Sequence, residues 1–360
     1  MSASVSASSG LKWLIGIAAV VLILGALKAA EAIVVPFLLA VFIAIICIPP
    51  LTFMTRRGMP SWLSIMIIVA LLVVLSSLLV IFVGSAIDTF TEQLPEYQKR
   101  LQEESVKLVP LFTDLGIPVT KDQFLTHFNP GAAMKWAGNA LANLGGLLTN
   151  FLVVVFVVIF LLMEEASLAD KLRYALPNGE LSLKRTSEFV RQVNTYLVIK
   201  TTISLITGLL VWAWLTFLGV DFAALWGLVA ALMNFIPNVG SIIAAIPAVL
   251  LTVVQLGPYD ALIVAAGYVA INLLMGNALE PRFMGNGLGL SPLVVFLSLM
   301  LWGWMFGAAG MFLSIPLTMI VKIALERQAS TRWIAIMIGS ARDIQQLEQD
   351  SQPHDQDPPQ

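Results

Sequence analysis

Between Phe222 and Tyr259 the chain runs 38 residues without an Asp, Glu, Lys or Arg, yet that stretch holds Asn234, Pro237, Asn238, Gly240, Ser241 and Pro247. Proline cannot donate to a helical ladder, and glycine permits a turn. Asn234, Asn238 and Ser241 add donors and acceptors without charge. Unwound backbone at membrane depth is tolerated only where protein buries it or where it lines a wet cavity. Two readings follow: a plain loop at the cytoplasmic surface between ordinary spans, or a broken helix beside a substrate pathway. On the second reading the residue types suit a neutral, hydroxyl-rich ligand better than an ion.

A second group lies further on, in "INLLMGNALEPRFMGNGLGLSP", residues 271–292. Asn272 falls inside a span with Tyr268 one turn before it, and Glu280 and Arg282 bracket Pro281 at the cytoplasmic end. Ionisable residues at a membrane boundary pair with one another or serve a pathway, so Glu280 and Arg282 read either as an interfacial ion pair or as pathway groups. The "GNGLG" glycines lack the Lys-Ser/Thr of a phosphate loop and suit close helix packing or a hinge. Glu164 and Glu165 read as a solvated helix end. Lys200, one turn into its span, is expected to snorkel to the interface. A single cysteine, Cys47, precludes a disulfide within the chain, and two histidines, His127 and His354, give no HExxH pair. No Ser/His couple, intramembrane Asp pair, metal cluster or Walker motif is present. The expectation is therefore no enzyme, no metal and no cofactor, with any transport passive or coupled to an ion.

The elements that position these residues are set by composition. The chain has 360 residues, 58% hydrophobic and 12% charged, with net charge −2. Soluble domains carry about 25% charged residues, so the solvent here is the lipid bilayer, and no nucleic-acid partner is expected. Uncharged runs predict spans near 12–30, 32–54, 61–86, 147–163, 197–219 and 260–279. The Phe222–Tyr259 run and the 39-residue Phe283–Val321 run are too long for one crossing. The first, as a straight helix, would reach roughly 57 Å across a ~30 Å core. Each must fold back, the first at Pro237–Gly240 and the second at Gly307–Gly310. Arg56 and Arg57, the Lys and Arg residues of 164–196, and Lys322, Arg327 and Arg332 mark cytoplasmic ends, which places both termini inside. The fold expected is an all-α polytopic membrane protein of about eight spans, ten if both fold-backs cross. It divides into a disordered tail (1–11), spans one to three (12–87), an outer helical insertion (88–146), a transmembrane core with broken hairpins (147–327) and a polar tail (328–360).

In the outer insertion Phe90, Leu94, Tyr97, Leu101, Leu108 and Leu111 recur at helical spacing, and Pro95 suits a helix first turn. That amphipathic helix either packs on its own protein or meets a second protomer in coiled-coil fashion. Gly303 and Gly307 form a GxxxG pair, which allows close helix approach. Leu94, Tyr97, Leu101, Leu108, Gly303 and Gly307 are accordingly candidate contacts of a homo-oligomer.

Five separated segments carry a family resemblance: "VVPFLLAVFIAIICIPP", "YLVIKTTISLITGL", "FIPNVGSIIAAIPAVL", "NALEPRFMGNGLGLSPLVVFLSLMLWGW" and "GAAGMFLSIPLTMIVKIALE". They occur in the order of the autoinducer-2 exporter family, with the outer connection after the third span placed as in that family, and the chain resembles it from about Lys12 to Glu326. The resemblance implies a bacterial inner-membrane protein, usually drawn with eight spans, that exports a small furanosyl-type signal in quorum sensing and biofilm formation. Some members resemble cation/proton antiporters, for which Glu280 is the first carboxylate to consider here, followed by Glu164, Glu165 and Glu31. The Pro237–Gly240 turn and the Glu280–Arg282 segment are the family's most recognisable positions. The resemblance transfers no catalytic residue. A non-transporting membrane scaffold organised by the 88–146 helix is the remaining alternative.

Overall fold

The computed structural model describes residues 9–107, 138, 151–175, 179–237, 239–284, 290–326, 328 and 330–339. Among these there is no strand. The helices are α1 (Ser9–Ala29), α2 (Glu31–Arg56), α3 (Ser61–Lys107), α4 (Phe151–Ala175), α5 (Gly179–Phe217), α6 (Ala223–Met233), α7 (Gly240–Gln255) and α8 (Pro258–Asn272). A π-helical segment (Leu273–Leu279) follows, then α9 (Glu280–Met284), α10 (Pro292–Phe312), α11 (Ser314–Glu326) and α12 (Arg332–Ile338). Five stretches are long and apolar enough to cross a membrane: Glu31–Arg56, Ser61–Tyr97, Val190–Phe217, Pro258–Phe283 and Pro292–Phe312. Leu, Ile, Val and Phe side chains cover their exposed faces, as lipid contact requires.

Several boundaries differ from those expected. The first two spans meet at Ala30 with no loop: Ala30 N–H donates to Ala26 and Val34 N–H to Ala30, so the joint is a bend. The third span and the amphipathic helix are a single helix, α3, of 47 residues. Pro95 lies inside it and starts nothing. Losing one ladder bond is tolerated where flanking turns hold the helix and Thr91, whose carbonyl is freed, is exposed. The stretch after 328 is not wholly a solvated tail. Residues 332–338 are helical, Ala335 is buried, and the Ile338 carbonyl accepts from Ser291 N–H at 3.1 Å.

The chain divides into two units. One comprises residues 42–289. Its core gathers Phe90 and Tyr97 of α3, Val211 and Leu215 of α5, Trp226 of α6, Leu251 of α7 and Val264 of α8. Trp226 is fully buried and meets the Phe90 ring edge-on at 5.9 Å. Helices α5 and α6 cross at backbone contact. A Cβ on Gly208 would lie 2.6 Å from the Gly227 carbonyl, and one on Gly227 would lie 2.8 Å from the Gly208 carbonyl. Phe222, before α6, takes a left-handed φ of 56°, a strained conformation for a bulky residue. Its ring packs edge-on against Phe90 at 5.7 Å.

The first long run folds back as expected. Helix α6 has 11 residues and α7 has 16, about 17 Å and 24 Å at 1.5 Å per residue, both short of a ~30 Å core. A Cβ at Gly240 would sit 1.8 Å from the Met233 carbonyl, so only glycine lets α7 start against the end of α6. Pro247, expected to be a second break, is buried inside a continuous α7. One missing bond does not open a helix whose flanking turns are packed.

The other unit comprises residues 1–41 and 290–360. Its long run also breaks where glycine predicts. Phe306 and Gly307 leave helical geometry, Gly307 with φ 59°. Beyond the break the chain returns on itself: a Cβ on Gly310 would lie 1.9 Å from the Trp302 carbonyl, and one on Gly303 would lie 2.7 Å from Met311 Cγ. Trp302 Nε1 donates to Thr318 Oγ1 of α11 at 2.9 Å. Gly303 thus packs within its own chain, and Gly307 forms the bend.

Candidate functional site

Helix α5 organises the polar groups. Tyr196, Lys200, Ser204 and Thr207 are spaced four, four and three residues apart, which puts them on one face. All four are buried. A continuous polar stripe inside a membrane-sized helix needs partners, because unpaired groups there are costly. Other elements partner Lys200 and Ser204, a third meets Asn194 beside the stripe, Thr207 bonds within α5, and Tyr196 has no partner among the described residues.

The first partner is α9. Lys200 Nζ donates to Glu280 Oε1 at 2.6 Å, with side chains 4% and 19% exposed respectively. The π-helical segment directly precedes Glu280. Its i→i+5 bonding changes the rotation per residue and so re-aims the face that follows, and such segments are frequent at functional sites. This arrangement corrects two expectations. Glu280 pairs with Lys200 rather than Arg282, which is exposed. Lys200 does not snorkel, because a charged partner within reach in the interior holds the ammonium better than an extended reach to the interface.

The second partner is the α6–α7 turn. Asn234 Nδ2 donates to Ser204 Oγ at 3.0 Å, and both residues are buried. The turn closes on itself through Ile236 N–H to the Met233 carbonyl at 2.8 Å and Gly240 N–H to the Ile236 carbonyl at 3.2 Å. Pro237 and Ser241 are half-buried beside it, and Asn238 lies outside the described residues.

The third partner is α2. Pro49 has no N–H, so the Ile45 carbonyl four residues earlier loses its ladder donor. Asn194 Nδ2 donates to that carbonyl at 2.9 Å. Thr207 instead returns its hydroxyl to Ile203 of its own helix at 2.8 Å.

Four buried hydroxyls stay unpartnered among the described residues: Tyr196, Thr201 and Tyr268 in this unit and Ser314 in the other. Tyr268 is in the core beside α6 and α7. Asn272 closes α8 and is half-buried. Thus the structure joins Asn234 and Glu280 through α5, while Tyr268 and Asn272 occupy the helix that leads to Glu280. Sequence reasoning missed Ser204, Tyr196 and Asn194 and misplaced Lys200. The four-four-three recurrence of polar residues in an apolar helix was the available signal.

At the far end of the same unit the α3 extension packs on its own protein. Tyr97 Oη donates to Asp221 Oδ2 at 3.0 Å and Tyr97 is buried, while Leu94 packs against the same core. Gln255 clamps the α5–α6 turn, its Oε1 accepting from Asp221 N–H at 2.8 Å and its Nε2 donating to the Gly219 carbonyl at 3.0 Å. The Leu101 side chain and Leu108 lie outside the described residues.

Apolar membrane-length helices, a hairpin too short to cross and a charge pair buried between helices are the features of a multi-pass membrane transport protein. The sequence profile described as "AI-2E family transporter" matches residues 17–329, and the chain belongs to that family. It is 43% identical to the AI-2 transport protein TqsA of Escherichia coli K12, over 92% of this chain and 96% of that protein. It is 41% identical to a putative transport protein of Haemophilus influenzae over 92% of this chain and 97% of that one. It is 34% identical to the putative transport protein YhhT of Escherichia coli K12, over 93% and 96% respectively. The chain is a membrane transporter, and these relatives carry the names of transport proteins, not of enzymes.

Proposed function

We propose that this transporter exports autoinducer-2, or a similar small neutral polar metabolite, across a bacterial inner membrane, with both termini cytoplasmic. The observation that carries the reading is the Asn234–Ser204 bond: the broken α6–α7 hairpin presents its polar turn to the polar stripe of α5. Asn234, Pro237, Asn238, Gly240 and Ser241 are the proposed substrate-facing turn. Tyr268, Asn272, Glu280 and Arg282 are proposed to continue the pathway. A hydroxyl-rich ligand is matched by amide and hydroxyl groups that exchange hydrogen bonds without charge.

The test is autoinducer-2 flux in proteoliposomes of the purified protein, with and without an imposed proton gradient. Flux above that of empty liposomes is expected. Asn234→Leu is expected to lower it at least several-fold while the protein still inserts, and normal flux in that variant would remove the basis of the reading.

The Lys200–Glu280 pair favours a second reading, a sodium or lithium/proton antiporter, because ion-coupled carriers keep a charged group inside the membrane. In everted vesicles this reading expects a cation-driven pH change that Glu280→Gln abolishes. Assembly as a homo-oligomer is also proposed, through the exposed residues of the outer half of α3 rather than Leu94, Tyr97 or the 303–307 glycines, which are taken up within the chain. Deleting residues 90–112 is then expected to reduce the detergent-solubilised mass. Cross-linked assemblies with no flux would favour a scaffold.

A further inference from the structure

Helix α12 is tied at both ends to the α10–α11 hairpin of its own unit. Thr331, just before it, donates through Oγ1 to the Leu325 carbonyl in the last turn of α11 at 2.8 Å. Ile338, its last residue, accepts at 3.1 Å from the N–H of Ser291, the N-cap of α10. Both ties lie where the hairpin leaves the lipid. Ser291 precedes Pro292 and Leu293, and Leu293 is already an exposed apolar side chain. At the other tie the exposed Ile320 and Val321 of α11 give way to Lys322 and Glu326, which pair at 3.8 Å. The seven residues of α12 rise roughly 10 Å, close to the ~8–10 Å between the axes of packed helices. Helix α12 therefore lies across the base of the hairpin, in the plane of the membrane surface.

Its two faces differ. Ala335 is fully buried, and Ile334 and Ile338 beside it are half-buried. The opposite face carries Arg332, Trp333, Ile336 and Met337, all exposed, Trp333 at 55% and Met337 at 73%. Their spacing of one, three and one residues puts them on a single stripe. Left in water, three large apolar side chains side by side are costly. Lipid is the alternative at this level, where the lipid-facing surfaces of α10 and α11 end. Tryptophan is enriched at the membrane–water interface because its ring is apolar with a polar edge. Arg332 forms no ion pair among the described residues, and its guanidinium fork matches two oxygens of a phosphate. An apolar stripe bordered by a basic group is the pattern of a helix that lies in the headgroup layer.

We infer that α12 is an in-plane membrane anchor: Trp333, Ile336 and Met337 dock into the headgroup–acyl boundary of the bilayer that the spans cross, and Arg332 takes a lipid phosphate. Through the Ile338–Ser291 bond the anchor sets the level at which α10 enters the lipid. Nothing in this anchoring depends on which solute is carried, so it stands or falls apart from the transport reading.

The experiment uses the full-length protein with Cys47→Ser and Met337→Cys, a nitroxide on the new thiol, in vesicles of phosphatidylcholine with a quarter phosphatidylglycerol. Collision of the label with oxygen, which concentrates in lipid, is compared with collision with a nickel chelate, which stays in water. A label at Ser330→Cys, an exposed polar position before the helix, is the reference. At 337 the nickel effect is expected to be at least several-fold smaller than at 330 and the oxygen effect larger. Replacing Trp333 and Ile336 with glutamine is expected to bring the 337 label into water and raise its nickel effect several-fold. Arg332→Glu sets a carboxylate against the phosphates and is expected to raise it as well, more in the phosphatidylglycerol vesicles than in phosphatidylcholine alone. A 337 label as open to nickel as the 330 label puts the face in water and overturns the inference. Shielding from both reagents with spin–spin broadening means that a second copy covers the face, and shielding without broadening means that the rest of the chain does; either overturns it. An unchanged nickel effect in Arg332→Glu overturns the phosphate contact. If Met337→Cys fails to insert, Ile336→Cys on the same stripe carries the same readout and the same outcomes.

Discussion

Replacing Gly208 with alanine is expected to destabilise the α5–α6 crossing and to reduce export. The new Cβ would lie 2.6 Å from the Gly227 carbonyl oxygen and 2.6 Å from Ala231 Cβ. Ordinary contact begins at 3.4 Å, so the helices must part by about 0.8 Å. Overpacking of this kind costs about 1–3 kcal/mol, offset by the ~0.5–1 kcal/mol that alanine gains over glycine in a helix interior, for a net of about 0–2.5 kcal/mol. Ser204 is one turn earlier on the same face. The same displacement would stretch its 3.0 Å bond to Asn234 to roughly 3.8 Å, beyond hydrogen-bond range. Equilibrium unfolding in mixed micelles, followed by tryptophan fluorescence, reads the stability. Proteoliposome flux of autoinducer-2 reads the site. Adding Ala231→Gly removes one of the two clashes and is expected to rescue only in part, because the Gly227 carbonyl remains. Gly84→Ala, which meets nothing within 4 Å, is the control and is expected to stay within about 0.5 kcal/mol of wild type. Wild-type stability and flux in Gly208→Ala would refute the claim that this crossing holds Asn234 against α5.

Asn194→Leu is expected to cost about 1–3 kcal/mol by orphaning the Ile45 carbonyl. Adding Pro49→Ala, which restores the helical N–H, is expected to recover most of that loss in the same unfolding assay, and no recovery would show that Asn194 acts otherwise. Glu280→Gln leaves the Lys200 ammonium buried without a counter-charge and is expected to cost about 3 kcal/mol, at the low end for a broken buried pair because Glu280 is 19% exposed. An unchanged unfolding midpoint would mean that the pair is not formed in the bilayer. Pro247→Ala is expected to leave flux unchanged and the fold equal or slightly more stable, since α7 continues through that residue; a collapse of flux would make Pro247 part of the pathway.

The lipid solvent, the all-helical class and the fold-back of both long runs were legible in the sequence. A hydrophobic stretch longer than the bilayer is thick must turn, and it turns where proline or glycine weakens the helix. Gly240 and Gly307 did so for the reason the sequence gives. Sequence spacing also put Asn234 in a polar turn and Glu280 at a helix boundary. Their partners were not legible. Ser204 is 30 residues from Asn234 and Lys200 is 80 from Glu280, and nothing local specifies which buried faces meet. That choice depends on the Gly208–Gly227 backbone contact and on the π-helical segment that re-aims Glu280, both of which exist only once helices pack. Likewise Pro95 and Pro247 read locally as helix ends, yet packed turns on either side carried each helix through. Local chemistry therefore determined where this chain could bend and which groups needed partners. Tertiary packing decided which bends occurred and which partner each group took, because a buried polar group is satisfied by whatever face the neighbouring helix presents.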